Sequence, residues 1–120
     1  MTSIEGMWLL QSASNADPKA INDGNGVIVL ETGRVFGGDS AMAYTGSYEL
    51  ADRQLTARVR AWTHNDIPGE NVFGMSTPID HIVIFRGARD DDTILGEIWS
   101  EQMPDQRLAA RLTKITDLPG

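Results

Sequence analysis

Hydrophobic and polar residues alternate along much of this chain with a period of two, the repeat of a strand that buries one face and wets the other. Met42, Tyr44, Gly46, Tyr48 and Leu50 share one face of a segment whose other face carries Ala43, Thr45, Ser47 and Glu49. Leu55, Ala57, Val59 and Ala61 then alternate with Gln54, Thr56, Arg58 and Arg60. Towards the end, Leu108, Ala110 and Leu112 alternate with Arg107, Ala109, Arg111 and Thr113. No long stretch keeps the period of an amphipathic helix.

Four other segments are apolar on both sides or mixed: Gly6–Gln11, Gly26–Leu30, Ile79–Phe85 and Thr93–Trp99. Short β-branched runs of this kind are strands covered on both faces, or strands with a partner outside. Between the runs lie turn signals. Glu31-Thr32-Gly33-Arg34 is a tight hairpin with Gly33 at positive φ, and Glu49–Arg53 and Arg89–Asp92 are further hairpin connections. Ser100–Gln106, with Met103-Pro104-Asp105 at its centre, is the last link. Counting through gives about eight antiparallel strands joined mostly by short connections. The expected fold is all-β, an eight-stranded antiparallel up-and-down barrel of lipocalin-like type, whose interior holds one small ligand or is filled by side chains. A two-sheet sandwich is the rival architecture. Gly46 and Gly96, inside strands, favour the barrel because closure demands tight coiling.

Two longer loops interrupt the meander. Ser14–Asn25 contains Asp17 followed by Pro18, an N-cap and a first helical residue, so one helical turn is expected. Asn65–Thr77 carries Pro68, Gly69 and Gly74 around the apolar residues Val72, Phe73 and Met75. Those apolar residues either plug one end of the barrel or form a lid or contact surface.

A chain of 120 residues is the size of one domain, here the whole of 1–120. No apolar run is long enough to cross a bilayer, and residues 1–5 lack the basic and apolar stretches of a secretory signal. There is no cysteine, which excludes disulfides and thiol chemistry and makes a cytoplasmic location the simplest reading. The net charge of −7 excludes direct nucleic-acid binding without a basic patch, and none stands out beyond Arg58 and Arg60. Acidity of this order serves solubility or attraction to a basic partner.

The most unusual local string is Gly37-Gly38-Asp39-Ser40, read as a bulge or kink whose aspartate accepts backbone N–H bonds. It sits in Val35–Ser40, followed by Tyr44, Gly46, Tyr48, Leu55-Thr56-Ala57, His64 and Val72-Phe73-Gly74. Gly6, Trp8, Gly26, Gly87 and Gly96 complete the pattern. From Gly6 to Leu112 this order and spacing resemble the GrlR-type regulators, bacterial negative regulators of type III secretion gene expression. The resemblance implies a lipocalin-like barrel that forms a homodimer and acts by protein contact, capturing a basic helix-turn-helix activator. It further implies that the contact lies in an acidic run after the fourth strand. Here that stretch is Glu49-Leu50-Ala51-Asp52-Arg53, which keeps two carboxylates and adds an arginine. Gly37, Gly38, Asp39 and His64 are the structural residues of the shared pattern.

Catalytic constellations are lacking. His64 with Asp66 and Glu70 nearby, and His81 beside Asp80, do not have the spacing that organises a metal site, so both histidines are expected to make structural hydrogen bonds. There is no nucleophile elbow or phosphate-binding glycine loop, and nothing pairs Asp39 with Glu97 for acid–base work. A non-enzymatic protein without metal or cofactor is expected. Trp62 falls on the Arg58/Arg60 face, where it is a partner hot spot or a cation–π stack unless a bulge turns it inward. Two functional readings follow. One is a homodimeric regulator that binds a protein through Glu49, Asp52 and Trp62. The other is a carrier of a small hydrophobic ligand, held against Tyr44, Tyr48 and Phe73 beside the small residues Gly46, Ala57 and Ala61.

Overall fold

The computed structural model describes residues 3–21, 23–66, 69–76 and 78–120. Among them run eight strands: β1 (Gly6–Ser12), β2 (Asp23–Glu31), β3 (Arg34–Gly38), β4 (Met42–Ala51), β5 (Gln54–Thr63), β6 (Asp80–Asp90), β7 (Thr93–Ser100) and β8 (Met103–Thr116). Each pairs antiparallel with the next, and β8 pairs with β1 from Met7↔Thr116 to Ser12↔Ala110. That seam makes a closed up-and-down barrel of lipocalin-like type and removes the sandwich.

Closure is written into the glycines. A Cβ on Gly46 or Gly96 would collide with the backbone carbonyl of Arg58 or Arg86 on the adjacent strand, so only glycine lets the sheet coil this tightly there. The Gly37-Gly38 pair works by the same close approach and forms no bulge. β3 keeps unbroken register with β2 and β4, Gly37 facing Ile28 on one side and Tyr44 on the other. The expected kink gives way to a straight ladder because two glycines let three backbones pack closely, and the chain turns only at Asp39.

One end of the barrel is built from two-residue hairpins: Thr32-Gly33, Asp52-Arg53 and Asp91-Asp92, closed by the pairs Glu31↔Arg34, Ala51↔Gln54 and Asp90↔Thr93. Thr32 (φ 53°) and Gly33 (φ 76°) both take positive φ, the requirement of a type I′ turn that matches strand twist. This end is solid. Trp8, Leu30, Leu55 and Ile94 are fully buried there, and the Trp8 Nε1–H donates to the Ile4 carbonyl at 2.9 Å. Arg89 reaches over the Trp8 ring, 6.0 Å from its centroid, and donates through Nε to the Asp91 carbonyl at 2.9 Å.

The opposite end carries the longer connections. Asp17 caps a 3₁₀ turn at Pro18–Ala20 by accepting the Lys19 N–H at 2.9 Å, as its sequence predicts. This loop lies along the outside of β8. Ala13 N donates to the Ala109 carbonyl at 2.9 Å and Ala109 N to the Asn15 carbonyl at 2.8 Å, so Ala109 is 1% exposed although it points out of the barrel. The link expected over Ser100–Gln106 is shorter. Ser100 already pairs with Met103, and Pro104 lies inside β8 beside a register shift at Ile98/Ser100, where a missing N–H costs no ladder bond.

Candidate functional site

Gly26, Ala57 and Ala61 leave space that Ile28, Val59, Val83 and Phe85 line without filling. The result is a cavity of about 470 Å³ running from a floor of Leu30, Val35 and Leu55 at the hairpin end to the rim formed by Asp39–Met42 and Gly69–Phe73. Its volume lies within the range of small-molecule sites, and its wall is mostly aliphatic and aromatic.

Tyr44 enters from β4 and lies over Gly26, where an added Cβ would stand 3.1 Å from Cε2. Its hydroxyl donates to Asp39 Oδ2, while Asp39 Oδ1 accepts the N–H groups of Ala41 at 2.9 Å and Met42 at 2.7 Å. Both carboxylate oxygens are therefore engaged. Burial first, and the Asp39 carboxylate second, push the Tyr44 hydroxyl far above the ordinary tyrosine range. His64 secures the same turn from outside: Nε2–H donates to the Asp39 carbonyl at 2.9 Å and the backbone N–H to the Ala41 carbonyl at 2.9 Å. Of the four residues singled out in the Gly37–His64 pattern, Asp39 stands at the cavity rim, His64 holds its turn, and Gly37 and Gly38 lie in the β3 ladder that leads to it.

The rim's other side is the segment 69–76. Asn71 Oδ1 accepts the N–H groups of Phe73 (3.0 Å) and Met75 (2.9 Å), and Gly74 turns at φ 77°. This small loop lowers Phe73 into the barrel mouth, where it meets the His81 ring edge-on at 5.7 Å and 79°. Val72 remains exposed, so the apolar tip is split: Phe73 plugs and Val72 does not. The turn residue Pro68 lies outside the described residues.

His81 stands on the inward face of β6 among Ile79, Val83 and Phe85 and is 5% exposed. Its Nδ1 lies 3.0 Å from Ser100 Oγ, which also accepts the Gln102 N–H at 3.2 Å. Burial pushes the imidazole below its ordinary range, against a smaller upward pull from Asp80. A histidine heading an otherwise apolar β-branched run was the available sequence signal. Its pairing with Ser100 depends on the β6–β7 register and left none.

Of the predicted ligand residues, Tyr44 and Phe73 line the cavity, whereas Tyr48 packs deeper in the core opposite Ala57. The predicted partner residues are not gathered. Glu49 faces out of β4, Asp52 tips a hairpin at the solid end, and Trp62 lies on outer β5 opposite Ala43, about 20 Å along the strand from Glu49. β4 and β5 pair without a shift, so no bulge turns Trp62 inward. It stacks instead under Arg60, 4.5 Å from the ring centroid, with Arg60 held at 3.0 and 2.9 Å by Asp80. A second outer stack, Arg107 over Trp99 at 3.6 Å, was not anticipated.

Among the described residues, no three His, Asp or Glu side chains converge as a metal site, and no helix is long and apolar enough to cross a membrane. Glu97 pairs with Arg107 at 4.0 Å on the outer wall, away from Asp39. Compared with models of protein families and with curated protein sequences, the chain matches none.

Proposed function

We propose that this protein is a non-enzymatic binding protein whose barrel interior holds a small hydrophobic ligand. The observation that carries this reading is the cavity of about 470 Å³, mostly apolar, with a few fixed polar groups near its mouth. Such a combination supplies burial for affinity and oriented hydrogen bonds for selection. The test is saturable binding of an uncharged fluorescent probe, N-phenyl-1-naphthylamine. One molecule per barrel is expected, with emission shifted to the blue. Val59→Phe, which places a ring into the void, is expected to abolish binding while leaving the circular dichroism unchanged. Absence of saturable binding to the native protein, or equal binding to Val59→Phe, overturns the reading.

A second reading is contact with protein on the outer wall. It is favoured by an apolar stripe across β1–β3, where Met7, Val29 and Phe36 are cross-strand neighbours and Leu9 lies beside Val27. Met7 is 37% and Phe36 41% exposed. A second copy of the chain is the simplest cover for such a stripe, and a homodimeric regulator of the GrlR type would then present Glu49 and Asp52 to a basic partner. Sedimentation of a dimer that Phe36→Glu converts to a monomer is expected, and a native monomer at micromolar concentration removes this reading.

A further inference from the structure

The polar groups on the cavity wall differ in what they have left to offer. Both Asp39 oxygens are taken, the Tyr44 hydroxyl is spent on Asp39, and Asn71 Oδ1 serves its own loop. His81 is different. Its Nδ1 is engaged by Ser100, but Nε2 bonds to no described residue. Among the described residues no buried side-chain nitrogen or oxygen lacks a partner. Nε2 therefore borders open space, and the space that His81 lines is the cavity.

The Ser100 network assigns the ring proton. Ser100 is fully buried and its Oγ already accepts the Gln102 N–H, so its own proton needs an acceptor, and the one in reach is His81 Nδ1. With Nδ1 accepting, the neutral imidazole carries its proton on Nε2 and aims a donor into an apolar chamber. The ring stays neutral because burial disfavours its charged form. No lysine or arginine is among the described residues lining the cavity, whereas Asp39 and Glu70 stand at its rim. A carboxylate entering would pass two like charges and find no cation, an uncompensated buried charge.

We propose that the interior selects an uncharged, mostly apolar ligand carrying one accepting oxygen, such as a ketone, ester or alcohol, seated with that oxygen at His81 Nε2. This rests on the reading of the interior as the binding site and adds the chemical class of its occupant. Ser12 Oγ, three strands round the barrel on the β1 wall, also bonds to no described residue and offers a further polar contact.

The experiment is displacement of bound N-phenyl-1-naphthylamine at pH 8 by 2-decanone, decanoate and decylammonium, which share a chain length and differ in the head. 2-Decanone is expected to displace the probe at a concentration at least about tenfold lower than either ion. The variant His81→Phe, made together with Ser100→Ala so that no hydroxyl loses its acceptor, is expected to weaken 2-decanone about threefold to tenfold more than it weakens the probe, so that the ratio of the two affinities reads the lost bond. Infrared spectroscopy reads the same bond in the native protein: the ketone C=O stretch should fall below its value in hydrocarbon solvent, which keeps the test decisive if the double variant does not fold. Decanoate or decylammonium binding as tightly as the ketone, or an unshifted C=O stretch, overturns the inference while probe binding preserves the cavity reading. Failure of the probe itself to bind overturns both.

Discussion

Tyr44 and His81 are buried titratable side chains with opposite consequences. The Tyr44 hydroxyl is held protonated by burial and by Asp39, so its pKa in the fold lies above the ordinary 10.0. Above pH 10 the unfolded chain releases this proton and the folded one does not, so stability falls as pH rises. Tyr44→Phe is expected to reduce that alkaline loss and to cost about 1.5–3 kcal/mol at neutral pH, because Asp39 loses a charge-assisted bond; urea unfolding at several pH values measures both. For His81 the pKa in the fold is depressed below 6.5. Stability is then complete above pH 6.5 and declines as pH falls from there, until the buried ring itself titrates. An NMR titration placing the His81 ring at or above 6.5 would refute this.

Among the elements, the hairpins carry backbone strain at Thr32, Asp52 and Asp91, whereas the loop 69–76 takes its positive φ at glycines. Thr32, β-branched, sits at φ 53°, where asparagine is better tolerated, and its N–H is held by Glu5 Oε2 at 2.7 Å whatever the side chain. Thr32→Asn is expected to raise stability by about 1 kcal/mol, read as a higher denaturant midpoint. Phe73 closes the mouth from a loop held mainly by Asn71. Phe73→Ala should speed probe dissociation at least about fivefold in stopped-flow measurements and also lower the melting temperature, because the ring it removes is buried. Unchanged release rates would show that exchange takes another route. The strands β4, β5 and β8 were legible from alternation alone because each has one wet face, and Trp62 follows its strand outward for the same reason. β8 begins earlier than expected because Pro104, read as a turn residue, sits beside a register shift that needs no N–H from it. Asp39 was legible as an acceptor of backbone N–H groups, since a carboxylate after two glycines has few other roles. The Tyr44–Asp39 contact and the Ser100–His81 pair were not, because they depend on register across strands; an interior space was legible in the small inward residues Ala57 and Ala61, but its extent depends on summed side-chain volumes rather than on any local run.

At the scale of the molecule, the chain has a solid end and a receptive one. Trp8, Leu30 and Arg89 brace the first, while the second is bounded by the Asp39 turn, Phe73 and the loop that shields Ala109. Changes at the hairpin tips Asp52 and Asp91 should therefore leave probe affinity within about twofold, whereas Ala61→Leu, at the cavity wall, should reduce it at least about tenfold; isothermal titration distinguishes the two. The seam between β1 and β8 has a consequence of its own. It joins Gln11 to Arg111, a hundred positions apart, so the wall cannot be completed until the last strand has been synthesised. Until then the nascent chain displays its whole lining and two raw strand edges to the cell, which makes the period just before β8 leaves the ribosome the stage at which a chaperone, or an early-bound ligand, has most influence on yield.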